Sequence, residues 1–169
     1  FNGTGTQTIN RTNGETFNNV VINKPSSMLS LGSNVTINGT LTLTAGTLAV
    51  NSSTLTLNGA ITSSGTITSN ADGTVAYNQA TAGQTILVAN YGNLTLNAYS
   101  KNFPSAVIGV AGTMTAPNPA TAHVVTGNTI FYNGTANQTL APTTANFKYN
   151  NLRIGAGGTK TAGGAMTVG

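Results

Sequence analysis

The side chains that could act as acids, bases or metal ligands are few in this sequence and far apart. The 169 residues include two acids, Glu15 and Asp72, one histidine, His123, and no cysteine. Glycosidic hydrolysis needs two carboxyl groups that flank the bond, and Glu15 and Asp72 are the one pair of acids in this sequence. A zinc site needs three or four ligands, so His123 is predicted to be structural. We therefore predict no enzyme activity and no catalytic or metal site.

The segment 155–161 reads GAGGTKT and at first sight looks like a phosphate-binding loop. That loop requires a glycine directly before the lysine, four residues between its glycines, and a helix after it that aligns backbone N–H groups. Here Thr159 precedes Lys160, and more glycines follow. The segment is predicted to be a bend in an all-β fold, and no cofactor is expected.

The chain is basic because it has few acids, not because it has a basic patch. Its net charge of +4 comes from six scattered residues, which are Arg11, Lys24, Lys101, Lys148, Arg153 and Lys160. Nucleic-acid binding favours a clustered basic stripe with aromatic residues between the charges, so no nucleic-acid partner is predicted. No apolar run approaches the ~20 residues that a membrane helix needs, and no membrane insertion is expected.

Rows of threonine are the one feature that could form a binding surface. Thr40 and Thr42 form one row, and Thr54 and Thr56 form another. Residues two apart on a strand point to the same face, and a flat threonine face can order water. An ice- or carbohydrate-binding surface is therefore the alternative function. It requires one side of the fold to carry Thr-x-Thr over many turns, whereas these rows are predicted to fall on successive sides.

The elements that would position these residues are very short strands. Charged residues make up 5% of the chain, against about 25% in an ordinary soluble domain. Helix signals are nearly absent, and disordered chains lack the β-branched alternation seen here. Aliphatic residues recur at every second position, as in Val35/Ile37, Leu41/Leu43, Leu48/Val50, Leu55/Leu57 and Leu94/Leu96. This pattern predicts an all-β chain.

The spacing of these strands favours a solenoid. Strand-like units begin at Thr40, Thr47 and Thr54, each followed by small turn-forming residues. Four strand residues and about three turn residues would make one side and one corner of a coil. An antiparallel meander is the alternative, because the recurrent Asn-Gly pairs suit tight hairpins. Strands of this length are short for a sandwich, so we favour the parallel coil.

A longer repeat supports the coil. Its three copies read FNGTGTQTI from Phe1, YNQATAGQTI from Tyr77 and YNGTANQTL from Tyr132. The offsets between these starting residues, 76 and 55, are close to multiples of about 18 to 19, which three sides of six or seven residues would give. We predict a right-handed parallel β-solenoid (β-helix), roughly triangular, with about 18–21 residues per turn and about eight to nine turns.

Each copy is followed by an aromatic-x-Asn-aliphatic-x-aliphatic segment. Because stacked turns place equivalent residues in ladders, the three asparagines are predicted to share a corner, where an amide can bind backbone groups. The aromatic residues beside them are predicted to pack at that corner rather than to bind sugars. This predicted corner ladder consists of Phe17, Asn19, Tyr91, Asn93, Tyr149 and Asn151.

These motifs resemble a known group of proteins. Aromatic-Asn-Gly-Thr, Gln-Thr-aliphatic, Tyr-x-Asn-Leu-x-Ile at 149–154, GAGGTKT at 155–161 and Met-Thr-Val-Gly at 166–169 are similar to repeats of large secreted surface proteins of the Bacteroidota. The chain is more loosely similar to autotransporter and filamentous-haemagglutinin passengers. The resemblance covers nearly the whole chain, implies an extracellular β-solenoid stalk or adhesin, and carries over no catalytic residue. The stretch 101–125, with Pro104, Pro117 and Pro119, departs from the pattern and is predicted to be a loop or a bulged turn.

The function expected from the sequence is mechanical. Residues 1–169 are predicted to form one domain, a segment of a longer repeat protein or a filament subunit at the cell surface or outside the cell. Stacked strand ladders would make a stiff rod. Open strand edges are prone to pair with another chain, so we expect each end to be covered by further repeats of the same chain or by another copy, end to end. Surface glycans are a further expected partner.

Overall fold

The computed structural model describes residues 1–155 and 157–169, and its regular structure consists of β-strands. Threonine, valine and isoleucine recur in these segments, and β-branched side chains favour extended backbone. In chain order the strands are β1 Gln7–Ile9, β2 Glu15–Phe17, β3 Val20–Leu31, β4 Val35–Ile37, β5 Leu41–Ala49, β6 Thr54–Leu57, β7 Ile61–Ser63, β8 Thr66–Thr68, β9 Thr74–Tyr77, β10 Gln84–Thr85, β11 Asn90–Tyr91, β12 Asn93–Leu96, β13 Lys101–Asn102, β14 Val107–Val110, β15 Met114–Thr115, β16 Thr129–Tyr132, β17 Gln138–Leu140, β18 Asn151–Ile154 and β19 Lys160–Ala162.

The strands of each sheet come from successive turns of the coil. The order in the nine-stranded sheet is β1-β3-β5-β8-β11-β14-β16-β18, with β7 beside β5. The six-stranded sheet has the order β15-β12-β9-β6-β4-β2, and β10-β13 and β17-β19 form two small sheets. Neighbouring strands are parallel in all four sheets. The predicted parallel β-solenoid is therefore confirmed, and the antiparallel meander is wrong.

The register of the strands gives the length of a turn. Glu15 pairs with Val35, and Val35 with Leu55, so these turns take twenty residues each. Val107 pairs with Thr129, so that turn takes twenty-two residues, and Gln84 pairs with Lys101, so that turn takes seventeen. The eight strands on the main path of the nine-stranded sheet correspond to about eight turns. The turn is thus slightly more variable than predicted, while the right-handed sense and the triangular outline stay predictions.

The core is a continuous column of aliphatic side chains. The aliphatic pairs used to predict the strands are all buried, and Leu41, Leu43, Leu55 and Leu94 have no measurable exposure. Alternate residues of each strand point inward, and equivalent positions on successive turns lie one strand spacing apart. Burial of each leucine contributes roughly 1.5–3 kcal/mol relative to exposure, so this column is the main favourable term in folding.

The Asn-Gly pairs serve bends between sides and not hairpins. Gly39 and Gly59 lie on successive turns, and the backbone of one rests on the other. A Cβ on Gly59 would lie 2.1 Å from the Gly39 carbonyl oxygen, so no other residue fits without a shift. A glycine allows backbones to approach this closely. The same dipeptide that suits a tight hairpin therefore also suits a stacked bend, and the sequence alone does not separate the two.

The stretch 101–125, which is predicted to be a loop or a bulged turn, departs from the regular strand pattern over fewer residues in the structure. β13, β14 and β15 lie within that stretch and pair in register with their neighbours. Among the described residues, no strand occurs between β15 and β16, where a single bridge joins Asn102 to Val124. Pro117 and Pro119 lie in this gap, in agreement with the inability of proline to donate to a ladder.

Candidate functional site

The predicted corner ladder does not form, because its three aromatic residues lie in different places. Phe17 belongs to β2 of the six-stranded sheet and Tyr91 to β11 of the nine-stranded sheet, while Tyr149 makes an isolated bridge with Val168. The spacing between copies of the long repeat is not a whole number of turns of the observed length. Each copy therefore begins on a different side of the coil, and the prediction that these residues stack on one another is wrong.

The three asparagines of that ladder also occupy separate sites. The Asn19 Oδ1 accepts the Thr40 N–H at 2.7 Å, and the Asn93 Oδ1 accepts the Thr113 N–H at 2.8 Å. Asn151 instead donates from Nδ2 to the Asn128 carbonyl at 3.0 Å. Each of these bonds joins one turn to a neighbouring turn. The amides satisfy backbone groups at bends, as the sequence suggests, but at three different positions around the coil.

What the copies of the long repeat share is a contact between their two aromatic residues. Phe1 meets Phe17, Tyr77 meets Tyr91, and Tyr132 meets Tyr149, with ring centroids 6.1 to 6.4 Å apart and edge-to-face geometry. This geometry is favourable for aromatic rings. The first aromatic residue of each copy therefore packs against the aromatic residue of the segment that follows. The repeated unit is a local bend and not one layer of a ladder.

In the second and third copies, the two tyrosines form a closed ring of hydrogen bonds with one backbone residue. The Tyr77 hydroxyl accepts the Leu87 N–H at 3.0 Å and lies 2.7 Å from the Tyr91 hydroxyl, which donates to the Leu87 carbonyl at 2.7 Å. The third copy repeats this arrangement. The Tyr132 hydroxyl accepts the Ala141 N–H at 2.9 Å and lies 2.9 Å from the Tyr149 hydroxyl, which donates to the Ala141 carbonyl at 2.7 Å. Linked bonds of this kind strengthen one another in a low-dielectric interior.

Burial keeps these phenols protonated. Desolvation raises the pKa of Tyr77 to about 12, against the opposing effect of its bond with Tyr91. Desolvation also raises the pKa of Tyr91, Tyr132 and Tyr149. A hydroxyl that stays neutral both donates and accepts, so the ring of bonds persists at ordinary pH.

The glutamine of the repeat binds the turn beneath it. Gln84 donates from Nε2 to the Leu57 and Gly59 carbonyls at 2.9 and 2.8 Å, and its Oε1 accepts the Gln79 N–H at 3.2 Å. Gln138 makes the corresponding bonds to the Val110 and Gly112 carbonyls at 2.9 and 2.8 Å and to the Gly134 N–H at 2.9 Å. Both side chains are buried, and both N–H groups and the carbonyl oxygen of each amide are bonded.

A lysine from the next turn completes each bend. Lys24 Nζ lies 3.3 Å from the Gly3 carbonyl oxygen, and Lys101 Nζ lies 3.3 Å from that of Gln79. Lys160 Nζ donates to the Gly134 and Ala136 carbonyls at 2.8 and 3.0 Å. Desolvation lowers the pKa of Lys101 to about 8, so the ammonium form still predominates at neutral pH.

The role of these lysines at bends is not evident from the sequence, in which they look like scattered surface charges. Each follows the first aromatic residue of its repeat by somewhat more than one turn, which is the signal that could have identified them. We call Tyr77, Gln84, Tyr91 and Lys101 the second-copy clamp. We call Tyr132, Gln138, Tyr149 and Lys160 the third-copy clamp.

No match to this chain is found among models of protein families, curated proteins or solved structures.

The threonine rows lie on two different sheets, as predicted. Thr42 belongs to β5 and pairs with Val21 and Thr62, and Thr40 directly precedes that strand. Thr54 and Thr56 belong to β6 of the six-stranded sheet. These four residues therefore do not form a common surface.

The six-stranded sheet carries Thr-x-Thr at 54/56 and at 113/115, which are not on successive turns, but single threonines recur there on most turns. Its outward positions form two adjoining columns, set by the register between successive turns. The central column is Thr16, Thr36, Thr56, Ala76, Thr95 and Thr115. The flanking column on its N-terminal side is Asn34, Thr54, Thr74, Asn93 and Thr113. We call the surface made by these two columns the threonine face. The sequence hides it because its rows come from units about twenty residues apart.

The amides beside the threonine face are also in register. Asn58 donates to the Asn38 Oδ1 at 2.8 Å, and Asn78 donates to the Asn58 Oδ1 at 2.9 Å. Repeated amide bonds of this kind run along the axis of the coil and hold the edge of the face in one conformation. Neither column of the threonine face contains a charged or aromatic residue.

Among the described residues, the two acids and the histidine lie on separate parts of the coil. Glu15 pairs with Arg11 at 2.9 Å, and the hydrogen bond from Arg11 lowers its pKa. Asp72 lies just before β9, three turns away from Glu15 along the six-stranded sheet. Three strand spacings amount to ~14 Å, which is too far for two carboxyl groups to flank one glycosidic bond.

His123 is buried between Phe103 and Phe147, with ring centroids 5.7 and 5.6 Å away. Its Nδ1 accepts the Lys101 N–H at 2.9 Å. Desolvation, assisted by the nearby Lys101 charge, lowers its pKa to about 4, so the ring is neutral at pH 7. Among the described residues, no three acids or histidines are grouped in a way that could hold a metal ion. Nor does any helix there have the length and apolar character needed to cross a membrane.

Proposed function

We propose that this chain is a non-enzymatic structural or adhesive module, located at the cell surface or outside the cell, that acts as a stiff rod. The observation that carries the proposal is the unbroken parallel pairing of eight strands in one sheet and six in another. Bending such a coil would stretch backbone hydrogen bonds on one side and compress the buried column inside. Rigidity therefore comes from the whole length of the molecule and not from one joint.

The sparse surface charge supports close approach of neighbouring copies. Of the six basic residues, Lys24, Lys101 and Lys160 bind backbone carbonyls at bends. Arg11 pairs with Glu15, and the Arg153 guanidinium lies 4.2 Å from the centre of the Phe131 ring. Hydroxyls and amides hydrate most of the remaining surface, so copies that lie side by side meet little repulsion.

The partner we propose is a turn of the same kind, from flanking repeats or from a second copy. Gln84 and Gln138 each bind two carbonyls of the turn beneath them. Gln7 is the equivalent residue of the first copy; it is exposed, and its only side-chain bond among the described residues joins its Oε1 to Lys24. A turn stacked beneath Gln7 would supply the missing carbonyls and pair with the open edges of β1 and β2. Surface glycans are the partner class for an adhesive role.

Electron microscopy of the native material, together with sedimentation of the purified chain, tests this proposal. We expect particles about 40 Å long for eight stacked turns, and longer fibres where flanking repeats or copies join end to end. A monodisperse compact particle with no elongated species would contradict the rod and the end-to-end contact. A glycan array separates the adhesive version, which requires saturable binding, from a purely structural one.

The threonine face favours a second candidate function, binding to ice. Neighbouring strands lie about 4.8 Å apart, and outward residues along one strand lie roughly 6.6–6.8 Å apart. The face is thus a two-dimensional grid of hydroxyl and methyl groups, interrupted at Ala76 in the central column and at Asn34 and Asn93 in the flanking column. An uncharged, periodic ligand such as an ice surface matches this grid. Absence of aromatic side chains from the two columns makes a sugar ligand the weaker choice.

Thermal hysteresis and inhibition of ice recrystallisation test the second candidate. Thr56→Lys places a long charged side chain at the centre of the face, and we expect it to abolish any such activity. Thr68→Lys is the matched control, because Thr68 is exposed on the nine-stranded sheet. No thermal hysteresis in the unmodified chain, or equal loss in both variants, would exclude ice binding by this face.

A further inference from the structure

We propose that the second-copy and third-copy clamps are latches, which allow their bends to open only together with the adjoining strands. This inference concerns how the coil opens, and it stands whether or not the module is a surface rod. In most β-folds, loops and bends open locally at little cost in free energy, while strands open only with the whole structure. The contacts of the clamps predict a different behaviour for two bends of this chain.

Each clamp joins three successive turns through side chains. In the third copy, Gln138 binds the turn beneath through the Val110 and Gly112 carbonyls. Lys160 reaches down from the turn above to the Gly134 carbonyl. Opening the bend alone would leave these carbonyls and the buried amide of Gln138 without partners, and each such loss is costly. The cost disappears only when the neighbouring turns open as well.

The tyrosine ring closes the other end of the same bend. Tyr132 accepts the Ala141 N–H, and Tyr149 donates to the Ala141 carbonyl. Both polar groups of one backbone residue are therefore bonded to buried side chains, although Ala141 lies outside the strands. Such a residue cannot reach water unless the two rings separate.

In the dissociated chain, which has no turn stacked beneath Gln7, the first copy serves as a control. Phe1 and Phe17 replace the tyrosine pair, so no hydroxyl is present to bind the backbone at Asn10, which is the counterpart of Ala141. Gly3, the counterpart of Gly134, makes no N–H bond with Gln7 among the described residues, and Gln7 itself is exposed. The same sequence motif therefore occurs twice with a closed clamp and once without.

Amide hydrogen exchange on the whole chain, resolved by residue, tests the latch. We expect the Gly134 and Ala141 N–H groups to exchange as slowly as those of β16, and at least roughly tenfold more slowly than those of Gly3 and Asn10. The counterparts in the second copy, Gln79 and Leu87, should behave like Gly134 and Ala141. Exchange of Gly134 and Ala141 at the rate of Gly3 and Asn10 would overturn the proposal.

Gln138→Leu and its matched control Gln7→Leu identify the group responsible. We expect Gln138→Leu to speed the exchange of Gly134 by roughly 10- to 100-fold relative to β16, because the bend then opens by itself. In the dissociated chain, Gln7→Leu should leave Gly3 within about twofold of its original rate, because no bond joins the Gln7 side chain to the Gly3 N–H among the described residues. Equal acceleration of Gly134 and β16 would show that the glutamine acts on global stability alone and would contradict the latch. If Gln138→Leu fails to fold, the comparison within the unmodified chain still decides.

Discussion

The six-stranded sheet and the two clamps hold one turn on the next by different means. In the sheet, backbone ladders and a column of aliphatic residues act together, and side chains such as Thr56 or Val75 need only the right size and branching. In the clamps, specific side chains supply the bonds that the interrupted ladder lacks. A regular stretch of solenoid therefore tolerates low-complexity sequence, whereas a bend with buried backbone groups requires particular residues.

A cavity in the aliphatic column should have the largest effect on stability. Leu55→Ala removes a fully buried side chain of β6, and large-to-small core substitutions cost about 2–5 kcal/mol. Thr56→Ala, on the outward face of the same strand, is the control and should change the free energy of unfolding by less than about 0.5 kcal/mol. Denaturant titration measures both. Similar values for the two variants would contradict the assignment of inward and outward positions.

Loss of one hydroxyl from a clamp should rank second. Tyr132→Phe leaves the Ala141 N–H without its acceptor and the Tyr149 hydroxyl without its neighbour. Unsatisfied buried groups cost about 1–3 kcal/mol, so we expect a loss of that size in the free energy of unfolding. Tyr99→Phe alters an exposed phenol and serves as the control. A neutral Tyr132→Phe would mean that the clamp adds nothing beyond aromatic packing.

Acid should weaken the second-copy clamp more than the third. His123 accepts the Lys101 N–H, and burial depresses its pKa to about 4, below the unfolded value of about 6.5. A depressed pKa means that the unfolded chain takes up the proton first, so stability is complete above about pH 6.5 and declines as pH falls towards 4. Thermal unfolding across this window measures the decline. A variant with His123→Phe should show no such slope, and persistence of the slope would assign it to another group.

Interruption of the amide ladder beside the threonine face should have the smallest effect. Asn58→Ala removes one bond given to Asn38 and one received from Asn78. Both are exposed, and a hydrogen bond contributes about 0.5–1.5 kcal/mol net, so we expect a loss near the lower end of that range. Denaturant titration of Asn58→Ala and Tyr132→Phe under the same conditions compares their losses in the free energy of unfolding. A loss larger than that of Tyr132→Phe would reverse the order of importance drawn between sheet and clamp.

The fold could be predicted from local pattern, but the candidate site could not. Period-two alternation around Leu41, Leu55 and Leu94 identifies inward positions directly, since a strand alternates its faces. The prediction of a corner ladder was wrong because a shared motif does not mean a shared side of the coil. Its residues, such as Asn19 and Asn93, share a local motif, but the motif belongs to bends that occur on every side of the coil. Likeness in sequence therefore does not specify which residues stack.

The sequence by itself determined that this chain is all-β with short strands, an aliphatic core and few titratable groups, and its spacing favoured a solenoid over a meander. These properties follow from composition and near-neighbour spacing. Only the tertiary structure decided which threonines share a face and which lysine caps which bend. The physical reason is that turns of seventeen to twenty-two residues vary in length, so a shift of a residue or two in one turn changes the neighbours of every residue in the next.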